Sequence, residues 1–190
     1  MPMHTFGHPC EIKEIRDICK EYKLTLIEDT AEALGSYYEK KHLGTFGDIG
    51  TLSFNGNKII TTGGGGAVIT NDDNLANKIR HLSTTARLRT KYTFDHDEVG
   101  YNYRMPNLNA SLGIAQMKKI KYFIDEKREV ALTYKEFFDN SNIDFFDEPN
   151  NAQSNFWLNA LIFENELLRD EALEYTNINN KTYPEVKLKD

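Results

Sequence analysis

Four consecutive glycines, residues 63–66, separate two short apolar runs at residues 48–54 (DIGTLSF) and 67–70 (AVIT). Glycine loses more backbone freedom on ordering than any other residue and reaches dihedrals closed to side-chain-bearing residues, so such a run suits neither a helix nor a strand interior. It marks a loop whose backbone can closely approach a ligand or a partner chain; the plainer reading is a flexible hairpin. The flanking apolar runs are strand candidates. Between them, Ser53 ends one strand and Lys58 follows five positions later in a glycine-containing turn. A lysine amine can condense with an aldehyde, and a serine with turn amides can hold a phosphate, whereas a lone lysine is more often solvated surface. The Gly-Lys-Ser/Thr ending of a phosphate-binding P-loop is absent.

The rest of the pattern alternates helix and strand. Ile12, Ile15, Ile18, Cys19 and Tyr22 recur at three-and-four spacing, an amphipathic helix with Pro9 as its first residue. Residues 24–27 form an apolar run ending in Glu28 and Asp29, a buried strand with carboxylates at its carboxyl end, where open α/β sheets place their ligands. Alone, Asp29 reads as a cap on the following turn. Asn71 and Asp72 cap a helix reaching Ile79 and Leu82, residues 84–97 form an ordered loop, and Pro106 opens one long helix to about Asn140. A polar boundary at residues 140–154 precedes a strand at 156–163 and a helix at 166–175.

Composition narrows the function classes. With 23 basic and 29 acidic residues, net charge −6 and no basic stripe, nucleic acid is not an expected partner. Mean hydropathy of −0.59 argues against a membrane protein, and 190 residues fit one domain or a domain with a small appendage. Cys10 and Cys19 lack metal-site spacing, and residues 1–10 lack a leader pattern, so free thiols in the cytoplasm are expected. His4, His8 and Cys10 suggest a metal cluster, but Pro9 and the missing fourth ligand make them helix-entry residues instead. Residues 100–106 (GYNYRMP) place Asn102 and Arg104 before a helix whose free amides could bind an anion; a structural turn with packed tyrosines is the alternative.

Taken in order, HTFGHPCEIKEI, LIEDTAEALGSYYEKKHLGTFGDIGTLSFNGNKIITTGGGGAVITND and GYNYRMPNLNASLGIAQMKKI resemble the DegT/DnrJ/StrS family of pyridoxal-phosphate-dependent sugar aminotransferases. The wording is most similar to the branch that aminates nucleotide-linked 4-keto-6-deoxy sugars toward bacillosamine- or legionaminic-type products. The resemblance implies an α/β chain with part of the aspartate-aminotransferase-like fold. A partial large domain with a mainly parallel sheet would occupy residues 1–105, a connecting helix 106–140, and part of a small α/β domain 141–190. Lys58 would be the Schiff-base lysine and proton shuttle, Asp29 the partner of the pyridinium nitrogen, Ala31 a neighbour of the ring face, and Glu32 a neighbour of the ring hydroxyl. The family often has glutamine or histidine where Glu32 stands. Ser53 would hold the phosphate, joined by Asn102 and Arg104 from the other subunit of a homodimer. The expected cofactor is pyridoxal 5′-phosphate, and the partners are a nucleotide-linked keto-sugar and an amino-acid donor, glutamate. Family chains carry a long segment before HTFGHP, so the resemblance implies a central slice of such an enzyme. A non-catalytic fragment and a phosphate-binding module without covalent chemistry are the alternatives.

Overall fold

The computed structural model describes residues 1–179. A short 3-10 turn at Thr5–Gly7 leads into α1 (Ile12–Glu21), which begins three residues after Pro9. Of the five stripe positions, Ile12, Ile15 and Cys19 pack with Leu26, Ala33, Leu43 and Phe46, whereas Ile18 and Tyr22 are exposed. Next come β1 (Ile27–Asp29), the hairpin β2 (Tyr37–Tyr38) and β3 (Lys41–His42), β4 (Ile49–Ser53) and β5 (Gly66–Ile69). β1 runs parallel to β4, with Asp29 opposite Thr51, and Met3 bridges Asp29 in parallel from the other side. β4 pairs antiparallel with β5, Ser53 opposite Gly66, so the sheet is partly parallel rather than mainly so. The connection from β4 to β5 has no crossover helix to carry the chain back to the starting end, which leaves only the antiparallel return.

The glycine run turns the chain between these strands. Gly63, Gly64 and Gly65 all have positive φ, at 78°, 158° and 95°, which favours residues without a Cβ. The loop is docked rather than free: Asn109 Nδ2 donates to Thr62 O at 2.6 Å, and Thr61 N donates to Gln116 Oε1 at 3.0 Å. Farther along, Asp72 Oδ1 accepts from Asn74 N and Leu75 N and starts α2 (Asp73–Leu82) as expected. The following loop is pinned by bridges between Thr84 and Asn102 and between Arg87 and His96.

The single helix expected after Pro106 is two, α3 (Asn107–Met117) and α4 (Ile120–Phe138). Lys119, at φ −112° and ψ 4°, breaks the helical path without interrupting the apolar period. α4 brings Ile120, Phe123 and Ile124 onto a second core with Ile59, Ile60 and Trp157. Beyond it, β6 (Asp144–Phe145) pairs with β8 (Leu161–Ile162), and β7 (Ala152–Gln153) joins β2. The strand expected at residues 156–163 is therefore only two residues long. Residues 154–157 form a buried, irregular plug with Phe156 at φ 44°, which a strand cannot accommodate. α5 (Glu166–Asn179) ends the described chain, and the expected small-domain portion at residues 180–190 lies outside the described residues.

Candidate active site

β1 and β4 end side by side in parallel, which sets Asp29 and Ser53 at the same edge of the sheet, two residues or about 6.5 Å apart along the strands. Asp29 Oδ1 accepts from Ala31 N at 3.1 Å and so caps the turn, while its other oxygen has no hydrogen bond among the described residues. Ser53 Oγ accepts from Asn55 N at 3.4 Å and donates to nothing among the described residues. Both groups therefore keep hydrogen-bonding capacity toward a ligand.

Lys58 sits on the turn after β4, where its N–H donates to Asn55 O at 3.2 Å, and the buried Ile59 and Ile60 anchor the chain that follows. Its side chain is only 14% exposed. Nζ lies 3.8 Å from Glu32 Oε1 and 3.8 Å from the centre of the Trp157 ring. Glu32 is turned by Phe6 N, which donates to Oε2 at 2.8 Å. The structure thus gathers Lys58, Glu32 and Trp157; Asp29 and Ser53 end the neighbouring strands β1 and β4, and Ala31 lies in the turn after β1. Sequence reasoning missed Trp157; its one signal is that it is the only tryptophan in the chain.

The carboxylate next to Asp29 has a different task. Glu28 is fully buried and accepts from Gly47 N at 2.6 Å, Gly44 N at 2.8 Å and the His4 ring at 3.0 Å. Burial alone would push its pKa up, but the hydrogen bonds from His4, Gly47 and Gly44 outweigh it and hold the carboxyl below its ordinary value. His4 also accepts from Cys10 N at 3.3 Å, so it ties the helix entry to β1.

Asn102 and Arg104 are not brought to Lys58. Both are exposed, and neither side chain makes a hydrogen bond or ion pair among the described residues. Arg104 lines a separate open groove of about 1040 Å³ with Thr51, Val68, Arg80, Tyr101 and Met105. Among the described residues, His81, Asp97 and Glu98 converge as potential metal ligands, but both Glu98 oxygens are engaged by Lys78 at 2.5 and 2.6 Å. That cluster closes the loop after α2.

Residues 1–183 match the model of the DegT/DnrJ/EryC1/StrS aminotransferase family. The chain belongs to this family. GDP-perosamine synthase of Escherichia coli O157:H7 is 42% identical over 171 residues, covering 90% of this chain and 46% of its own length. A UDP-4-amino-4,6-dideoxy-N-acetyl-β-L-altrosamine transaminase of Campylobacter jejuni strain 81-176 is 36% identical over 138 residues, 72% of this chain and 36% of the relative. Among solved structures, Helicobacter pylori PseC, an aminotransferase involved in pseudoaminic acid biosynthesis, superposes with a TM-score of 0.87 at 27% identity, over 94% of this chain and 49% of that one. The chain thus spans less than half the length of these relatives. No helix among the described residues is long and apolar enough to cross a membrane.

Proposed function

We propose that this chain carries the lysine-bearing part of a pyridoxal-phosphate-dependent aminotransferase that aminates a nucleotide-linked 4-keto-6-deoxy sugar, with glutamate as amino donor. The observation that carries the proposal is the near-enclosed Lys58 amine beside the parallel strand ends that present Asp29 and Ser53. Their unused hydrogen-bonding capacity fits the cofactor's chemistry: a carboxylate oxygen for a protonated ring nitrogen and a hydroxyl for a phosphate. When bound, pyridoxal phosphate supplies an electron-withdrawing ring that accepts the electrons released at the reacting carbon.

The chain's own residues supply the rest. Lys58 Nζ would be the covalent anchor; once released and neutral, it would move a proton between the donor's α-carbon and the carbon on the far side of the shared nitrogen, two bonds away. Asp29, with one oxygen taken by Ala31 N, would offer its carboxylate to the ring nitrogen and keep it protonated. Ala31 would line the ring, and Glu32, 3.8 Å from Lys58 Nζ, would stand near its hydroxyl. Ser53 takes the phosphate. Asn102 and Arg104, exposed and unengaged beside the stacked pair Tyr101 and Tyr103, serve the phosphate of a second copy in a homodimer. Two free cysteines accord with a cytoplasmic enzyme. The bacillosamine- or legionaminic-type branch is the narrower form of the same proposal.

The test is to incubate the chain with pyridoxal phosphate, reduce with borohydride, and map the pyridoxyl group by peptide mass spectrometry. Lys58 should carry it, and Lys58→Ala should abolish the coloured form. Binding that survives Lys58→Ala would favour the phosphate-binding module instead. An adduct on Lys58 without turnover of a keto-sugar would favour the non-catalytic fragment, a reading supported by the exposed Leu108, Ile114 and Tyr103.

A further inference from the structure

Among the described residues the Lys58 amine is held by two contacts, neither of them a hydrogen bond. The Glu32 carboxylate stands 3.8 Å away, beyond hydrogen-bonding distance, and the indole face of Trp157 lies 3.8 Å from the same nitrogen. A cation within about 6 Å of a tryptophan ring centre is attracted by the ring's negative face. The indole is aimed at both ends: Nε1 donates to Asn57 O at 2.7 Å, one residue before the lysine, while the ring face meets the lysine amine.

Trp157 is in turn fixed by the buried plug. Its N–H donates to Asn155 Oδ1 at 2.9 Å, and Asn155 Nδ2 donates to Glu32 O and Leu34 O, each at 2.9 Å. Asn155 N donates to Ser36 Oγ at 2.9 Å. From α4, Arg128 grips Ser154 O at 2.6 Å and both oxygens of Glu148, whose Oε2 accepts from Ser154 N. One four-residue segment therefore sets the backbone of Glu32 and the ring of Trp157 together.

We propose that Trp157 is a positioning residue, forming with Glu32 a clasp for the Lys58 ammonium in the cofactor-free chain. This rests on the aminotransferase reading for its use, though not for its geometry. The clasp keeps the charged amine in place while leaving its three N–H groups uncommitted, so the amine can leave without breaking a direct hydrogen bond.

The test needs no cofactor. The lysines of the full chain are reductively dimethylated with ¹³C-formaldehyde, which keeps their charge, and the Lys58 methyl signal is assigned by its loss in Lys58→Arg. Ring current should move that signal upfield of the other lysine methyls in the wild type; a Lys58 signal among the others overturns the proposal without any further variant. Trp157→Leu should collapse the shift, and Trp157→Phe, which keeps a ring face and loses the bond to Asn57, should retain part of it. Competitive acetylation gives a second reading, with the exposed Lys121 as internal standard. The Lys58-to-Lys121 labelling ratio should rise about three- to tenfold in Trp157→Leu and less in Trp157→Phe, a range set by the strength of a partly desolvated cation–π contact. An unchanged ratio in folded Trp157→Leu would also overturn it. If Lys58 shows the ring-current shift yet takes no pyridoxyl group, the clasp stands and the cofactor reading fails.

Discussion

Replacing Glu28 with glutamine should remove about 3–5 kcal/mol of folding stability, the order expected when two of its three hydrogen bonds to a charged acceptor are lost. The side chain takes three hydrogen bonds, from Gly47 N, Gly44 N and the His4 ring. A bond to a charged acceptor contributes about 1.5–3 kcal/mol, and glutamine offers one acceptor oxygen and turns an N–H₂ group toward donors that cannot accept. Against a typical net stability of about 5–15 kcal/mol the loss is large, and for an m-value of about 2 kcal/mol per molar it lowers the urea midpoint by about 1.5–2.5 M. Fluorescence of Trp157, the sole tryptophan, reports unfolding directly. The pH dependence gives a second check. Because the folded pKa of Glu28 lies below its ordinary 4.5, its contribution is fully present above pH 4.5 and is lost as pH falls through the folded value. Glu28→Gln should flatten that part of the acid limb. A midpoint within about 0.3 M of wild type, or an acid limb unchanged by the substitution, would refute the account of Glu28 as the hub joining the helix entry to β1.

Three further outcomes follow from the same structure. Asn155→Ala removes the bonds to Glu32 O, Leu34 O and Trp157 N, and at about 0.5–1.5 kcal/mol each it should cost about 1.5–4.5 kcal/mol in urea unfolding. His8 is buried between Phe146 and Phe156, and its Nδ1 has no hydrogen-bond partner among the described residues. Burial lowers its pKa below 6.5 against the pull of Glu148 and Asp147, with Arg128 acting in the same direction as burial, so stability should fall as pH drops below 6.5. His8→Phe should reduce that slope, measured as the urea midpoint between pH 7 and 5; an equal slope would refute the assignment. Burial, and then the charge of Glu28, push the Cys10 thiol up to about 11 from 9.0. Alkylation of Cys10 by iodoacetamide at pH 8, followed by peptide mapping, should therefore be about a hundredfold slower in buffer than in urea, and comparable rates would contradict its burial.

The parts of the fold legible in the sequence are those that local chemistry decides. The apolar run ending at Glu28 and Asp29, the strands flanking the glycine run, and the helix opened by Asp72 each follow from neighbours within a few residues. The β2–β3 hairpin was not legible, because its two turn residues, Glu39 and Lys40, occupy φ of 46° and 65° without the asparagine or glycine that usually announces such a turn. The break between α3 and α4 leaves no trace in the apolar period, and no glycine or proline marks it. Phe156 and Trp157 read as the start of a strand because they open an apolar run, but bonds from Asn155 to Glu32, Leu34 and Ser36, about 120 positions away, hold the plug at residues 154–157 irregular. Of the proposed site, Lys58, Asp29 and Ser53 stand out in the sequence by type and order. Trp157 does not, since only the folded chain brings it to the lysine.

That separation has a consequence in time. The oxygen that anchors the indole belongs to Asn57, 100 positions before Trp157. At about 5–20 residues per second, synthesis takes about 5–20 s to add that stretch. Throughout the interval a nascent chain carries Lys58 without its aromatic cover, open to any aldehyde in its surroundings. The lysine's shelter is thus among the last parts of this region to be made, and the ribosome, rather than local folding, sets the earliest moment at which it can close.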